Sequence, residues 1–146
     1  DPRYKEGDWE LSKQKEKNRS SVLDGVPIAL PALVRASRIQ EKAAAVGFDW
    51  EKKEQVLLKV DEEIEELKEA IINNDGIEEE LGDVFFTIVN LSRHLGYESE
   101  GTLKKSIDKF SNRFKKIEKD LKNQNINMKD LSLDELDHLW EKNKEQ

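Results

Sequence analysis

Four acidic residues have the types and spacing to do chemistry together. Glu63 and Glu66 lie in Val60-Asp-Glu-Glu-Ile-Glu-Glu-Leu67, and Glu80 and Asp83 lie in Glu79-Glu-Leu-Gly-Asp-Val84. An i,i+3 interval puts both carboxylates of a pair on one side of a helix. Between the pairs stands Asn73-Asn-Asp-Gly76, a strong turn signal. Glu63 mirrors Asp83, and Glu66 mirrors Glu80, about position 73 beside that turn. Two helices folded back there bring four carboxylates to one level, where they repel unless a cation sits among them. Ligands that are all oxygen suit Mg²⁺, or Mn²⁺, rather than zinc or copper. A di-iron bundle would need Glu-x-x-His on two helices, and Glu135-x-x-His138 supplies it once. Against a site stands the ordinary outcome for such spacing, a solvated charged face.

The elements that must position these groups read as helices. One is predicted from about Pro31 to Val46, with proline in its first turn and Gly47 as its stop. A second spans about Glu51 to Asn73. Its seam, Val56, Val60, Glu63, Leu67 and Ala70, alternates steps of four and three and should face a partner helix. Glu63 therefore fills a slot that the pattern reserves for an apolar residue, and a carboxylate buried there needs a partner. A third helix, about Ile77 to Leu95, carries the apolar stripe Ile77, Leu81, Val84, Ile88, Leu91 and Leu95. Beside it runs a polar stripe of Glu80, Asp83, Thr87, Asn90 and His94. His94 reads as a capping or surface residue near a helix C-terminus, where a cation is favoured. The fourth helix, about Ser99 to Asn123, repeats the seam rhythm in Leu103, Ile107, Phe110, Phe114, Ile117 and Leu121. Ser132 with Glu135 has the form of a capping box opening a short terminal helix. Residues 1–21 are charge-dense, with Trp9 and Leu11 as their only anchors. They read as a poorly ordered arm or linker, leaving residues 22–146 as the domain.

The composition agrees with that reading. The 146 residues carry 39% charged side chains but only three prolines and seven glycines, which suits long helices. The fold class expected is all-α, a four-helix-bundle-like domain whose broad stripes suggest completion by homodimerisation. The absence of cysteine rules out disulfides and thiolate metal ligands. A net charge of -7 argues against a nucleic-acid polymer as the main partner. No apolar run approaches the ~20 residues of a membrane span and no signal-peptide pattern is present, so a cytoplasmic protein is expected. The chain begins at Asp1 without methionine and reads as a processed or excised piece of something longer.

The fourth helix adds a complementary half. Lys109 and Arg113 lie one turn apart, in a row with Lys105. Arginine suits bidentate phosphate contact and lysine a point-charge contact. Acidic metal ligands together with basic phosphate ligands make a polyphosphate site. Trp140 offers a ring face to a base and Lys144, one turn on, a further charge, although a tryptophan is more often a core anchor.

Several motifs in order resemble the MazG family of nucleoside triphosphate pyrophosphohydrolases. They are Glu62-Glu-Ile-Glu-Glu-Leu67, Glu79-Glu-Leu-Gly-Asp-Val-Phe-Phe86, Val89-Asn-Leu-Ser-Arg-His-Leu-Gly96, Val46-Gly-Phe-Asp-Trp50 and Lys109-Phe-Ser-Asn-Arg-Phe114. The resemblance runs from Ser20 to Lys144 and is greatest to the C-terminal of the two domains in longer members. Ser99-Glu-Gly101 departs from the Pro-Glu-Glu-Ala type of helix opening usual there. The resemblance implies a dimeric, Mg²⁺-using enzyme that converts an NTP or dNTP to NMP and pyrophosphate. It implies Glu63, Glu66, Glu80 and Asp83 as metal ligands, and Lys59, Lys109, Arg113, Trp140 and Lys144 around the nucleotide. Glu62 or Glu63 is the candidate proton acceptor. The competing reading is a non-catalytic helical module that binds nucleotide or dimerises.

Overall fold

The structure, a computed structural model, describes residues 2–16 and 20–144. Those residues form helices joined by turns and short 3₁₀ segments, with no strand among them. The helices are α1 (Pro2–Glu16), α2 (Ala32–Ala45), α3 (Lys53–Asn73), α4 (Ile77–His94), α5 (Ser99–Asn123) and α6 (Leu133–Lys144). No helix of the described residues is long and apolar enough to cross a membrane. The chain divides into two compact units, Asp1–Glu100 and Gly101–Gln146.

In the first unit, α4 packs on both α3 and α2. α3 is rich in Glu, Leu and Lys, all strong helix formers. Its N-terminus is closed by Gln55 Oε1, which accepts from the backbone N–H of Lys52 at 3.0 Å. At the other end Asn74 turns left-handed (φ 49°), and the Asp75 N–H reaches back to the Ala70 carbonyl at 3.0 Å. Gly76 follows at φ 68° and α4 begins at once, so the two helices run antiparallel from a three-residue connection. Val56, Val60, Glu63 and Ala70 of the expected α3 seam are buried.

α4 departs from the sequence expectation. Its buried residues are Thr87 and Val89, while Leu81, Ile88 and Leu95 of the expected apolar stripe are exposed. Phe85 and Phe86 are also exposed. Thr87 and Val89 lie outside the expected stripe, so periodicity marks an apolar face without telling which face packs inside the unit. Gln40 of α2 fixes α4 by donating from Nε2 to the Phe86 carbonyl at 2.9 Å.

The expectation of a poorly ordered arm over residues 1–21 meets a helix at Pro2–Glu16 that packs on α2. Polar contacts hold it. Lys42 Nζ donates to both oxygens of Glu10, at 2.8 and 3.0 Å, and both side chains are buried. A Cβ at Gly7 would lie 2.6 Å from the Ala45 carbonyl oxygen, so glycine is needed for this close approach.

In the second unit, Ile117 and Leu121 of the α5 seam are buried. Leu103, Ile107, Phe110 and Phe114 of the same seam are exposed. α6 opens on the expected capping box. Ser132 Oγ accepts from the Glu135 N–H, and Glu135 Oε1 accepts from the Ser132 N–H, both at 3.1 Å.

Candidate metal centre

Glu63, Glu66 and Glu80 are brought together across the α3–α4 hairpin. One carboxylate oxygen from each lies within 4.8 Å of the others. Glu63 comes from the buried seam of α3 and is 6% exposed. Glu80 comes from the first turn of α4, where free N–H groups and the helix dipole favour a carboxylate. Glu66, one turn along α3, feels the charge of both. The charge of Glu63, then burial, then the charge of Glu80 push its carboxyl above the usual range.

The oxygens are unequally satisfied. Glu63 Oε1 pairs with Lys59 Nζ at 3.0 Å. Glu63 Oε2 and Glu80 Oε2 are buried without a hydrogen-bond partner. Buried carboxylate oxygens without donors are costly. Two of them in a group of three acids call for a cation, and an all-oxygen donor set fits Mg²⁺ or Mn²⁺.

Asp83 stands outside that group. It is exposed on α4, and its carbonyl accepts from Thr87 Oγ1 at 2.8 Å. Of the four expected ligands, Glu63, Glu66 and Glu80 are brought together within 4.8 Å of one another. Lys59 faces the carboxylates of its own helix, bridging Glu63 and, at 3.3 Å, Glu62 Oε2. Glu63 first, then Glu62, hold its ammonium above the usual range. Glu62 is solvent-exposed and contacts the group through Lys59 alone among the bonds seen.

The remaining candidates lie in the second unit. The Arg113 guanidinium sits 5.5 Å from the centre of the Trp140 ring, which tilts against Phe110 at 5.1 Å. Trp140 is thus part of an aromatic and cationic stack on α5 and α6. Lys109 is exposed, and Lys144 pairs with Glu141 at 3.1 Å. A cavity of about 560 Å³ in this unit is lined by Leu121, Ile126, Leu131, His138 and Leu139 among others, and by none of these four candidates.

One polar cluster escaped sequence reasoning. Arg93 grips Asp49 through both terminal nitrogens, at 3.1 and 2.6 Å, and His94 Nε2 meets the same carboxylate at 2.9 Å. Burial opposes the Asp49 charge, but Arg93 and His94 outweigh it and hold the carboxyl below the usual range. The cluster ties the α2–α3 loop to the end of α4. His94 is accordingly a partnered residue with a side chain 10% exposed, not a surface one. The only signal was the pairing of opposite charges 44 positions apart, which sequence spacing does not reveal.

The described residues form an all-α protein whose helical hairpin gathers three carboxylates that could hold a metal ion. Residues 51–118 match the MazG nucleotide pyrophosphohydrolase domain. The chain is 43% identical over 145 residues to a nucleoside triphosphate pyrophosphohydrolase/pyrophosphatase MazG of Thermotoga maritima, covering 98% of this chain and 56% of that protein. It is 39% identical to an Escherichia coli nucleoside triphosphate pyrophosphohydrolase, covering 94% of this chain and 55% of that protein. The chain therefore carries a MazG domain and is similar to these relatives over nearly its own length. It spans about half the length of the curated relatives it matches.

Proposed function

We propose that the chain is a Mg²⁺-dependent nucleoside triphosphate pyrophosphohydrolase acting in the cytoplasm on NTP or dNTP and releasing NMP and pyrophosphate. The observation that carries this reading is the pair of buried, unpartnered oxygens, Glu63 Oε2 and Glu80 Oε2, in a group of three carboxylates. The reaction comes from the names of the relatives, nucleoside triphosphate pyrophosphohydrolases. Glu63, Glu66 and Glu80 would hold Mg²⁺, with Asp83 as the fourth ligand implied by family resemblance. Bound there, Mg²⁺ supplies neutralisation of phosphate charge.

Water attacks within the triphosphate and the α–β linkage breaks. The water's proton passes to a carboxylate beside the centre, Glu62 or Glu63. Lys109 and Arg113 stabilise charge on the phosphates, Trp140 stacks the base, and Lys59 and Lys144 add cationic contacts. The working form is a homodimer whose paired helices complete a four-helix bundle. Supporting this are the exposed Leu81, Phe85, Phe86 and Ile88 of α4, since exposed apolar patches mark interaction surfaces.

The test is a panel of canonical and modified NTPs with Mg²⁺, scoring NMP plus pyrophosphate against NDP plus phosphate. NMP and pyrophosphate are expected, and Glu80→Ala or Asp83→Ala should abolish their release with helicity near wild type. Release of NDP and phosphate, or full activity in both variants, overturns the reading.

A further inference from the structure

Lys59 holds an unusual position for a substrate-binding residue. Its ammonium is spent on the carboxylates of its own helix, 3.0 Å from Glu63 Oε1 and 3.3 Å from Glu62 Oε2. The two partners differ. The Glu62 side chain is 58% exposed and can be left to water, whereas that of Glu63 is 8% exposed and cannot. Glu63 is also the residue whose second oxygen is buried with no donor. Lys59 therefore offsets half of a buried carboxylate and leaves the other half unsatisfied. Lysine is a compact charge on a flexible four-carbon stem, and this one is one-third exposed, so it can swing away without unfolding the helix.

We propose that Lys59 is the centre's built-in competing cation. It neutralises Glu63 while the centre is empty, gives up that oxygen when a divalent cation binds, and so lowers the affinity for the metal. This rests on the reading of Glu63, Glu66 and Glu80 as a metal site. The released ammonium is then free for an anionic group such as a phosphate. Lys59 is in this sense a positioning residue that acts through Glu63. An ordinary helix-stabilising i,i+4 pair would leave metal affinity unchanged.

The test is calorimetric titration of Mg²⁺ alone, without nucleotide, into wild type, Lys59→Met, Lys59→Arg, Glu63→Gln and the Lys59→Met/Glu63→Gln double variant. Thermal melting with and without Mg²⁺ runs in parallel. Lys59→Met should bind Mg²⁺ about three- to fivefold more tightly, the scale of one part-exposed ion pair. Lys59→Arg, which keeps the charge, should stay within about twofold of wild type by the same scale. Mg²⁺ should raise the melting temperature of Lys59→Met more than that of wild type. In the Glu63→Gln background, Lys59→Met should make no further difference. Equal or weaker Mg²⁺ binding by Lys59→Met, with wild type binding normally, overturns the proposal and leaves the metal site standing. Absence of Mg²⁺ binding in wild type overturns the metal site and the proposal with it.

Discussion

α3 and α4 face each other across one turn, yet they use their apolar residues in opposite ways. On α3 the seam marked by steps of four and three is what the unit buries, from Val56 through Val60 to Ala70. On α4 the face turned inward includes Thr87, and Leu81, Phe85 and Ile88 point outward. The difference teaches that apolar rhythm announces a partner without saying where the partner is. α3 finds its partner inside the unit. α4 brings Glu80 to the carboxylates of α3 and leaves several of its apolar residues exposed. The buried part of the hairpin joins Val56, Val60, Ala70 and Val89 to one carboxylate, Glu63.

The contrast can be broken where the helices share charge. Glu63→Gln or Glu80→Gln should reduce Mg²⁺-dependent NMP release by at least about a hundredfold, more than loss of a supporting contact around a metal usually costs. Steady-state assay beside circular dichroism checks this. The next effect is on packing. Val56→Ala, at a fully buried α3 position, should cost about 2 kcal/mol in urea unfolding without changing association. Phe85→Glu, on the outward face of α4, should leave helicity intact and shift sedimentation toward monomer at micromolar concentration. If Phe85→Glu instead unfolds the hairpin with no change in association, the two faces are not different in kind. The smallest effect concerns the clamp at the far end of α4. Asp49 has a depressed folded carboxyl pKa, so its contribution is whole above the ordinary value of 3.8 and is lost as pH falls below it. Asp49→Asn should therefore lower the urea midpoint near pH 6, with the gap to wild type closing toward pH 3.

Glu63 was legible because it interrupts a seam: a carboxylate in an apolar slot is a contradiction that only a partner resolves. The turn was legible because Asn74 and Gly76 tolerate left-handed backbone. The ends of α2 to α5 followed from similar signals. α1 was not legible, because it docks through Lys42, Glu10 and the close approach at Gly7 rather than through an apolar stripe. The inward face of α4 was not legible either, since its buried residues, Thr87 and Val89, lie outside the apolar stripe that periodicity marks. Asp83 looked equivalent to Glu80 by spacing, but of the two only Glu80 joins the group whose oxygens lie within 4.8 Å, and spacing along one helix does not carry that distance.

The three-residue connection from Asn74 to Gly76 makes loop length part of the chemistry. Lengthening a loop is cheap in chain entropy, about 0.6 kcal/mol for each doubling. One inserted residue that was absorbed into α4 would turn everything after it by about 100° around the helix axis. Glu80 would then swing away from Glu66, and Thr87 and Val89 would leave their buried places with it. The length of one short turn thus sets the packing of the hairpin and the meeting of its carboxylates together.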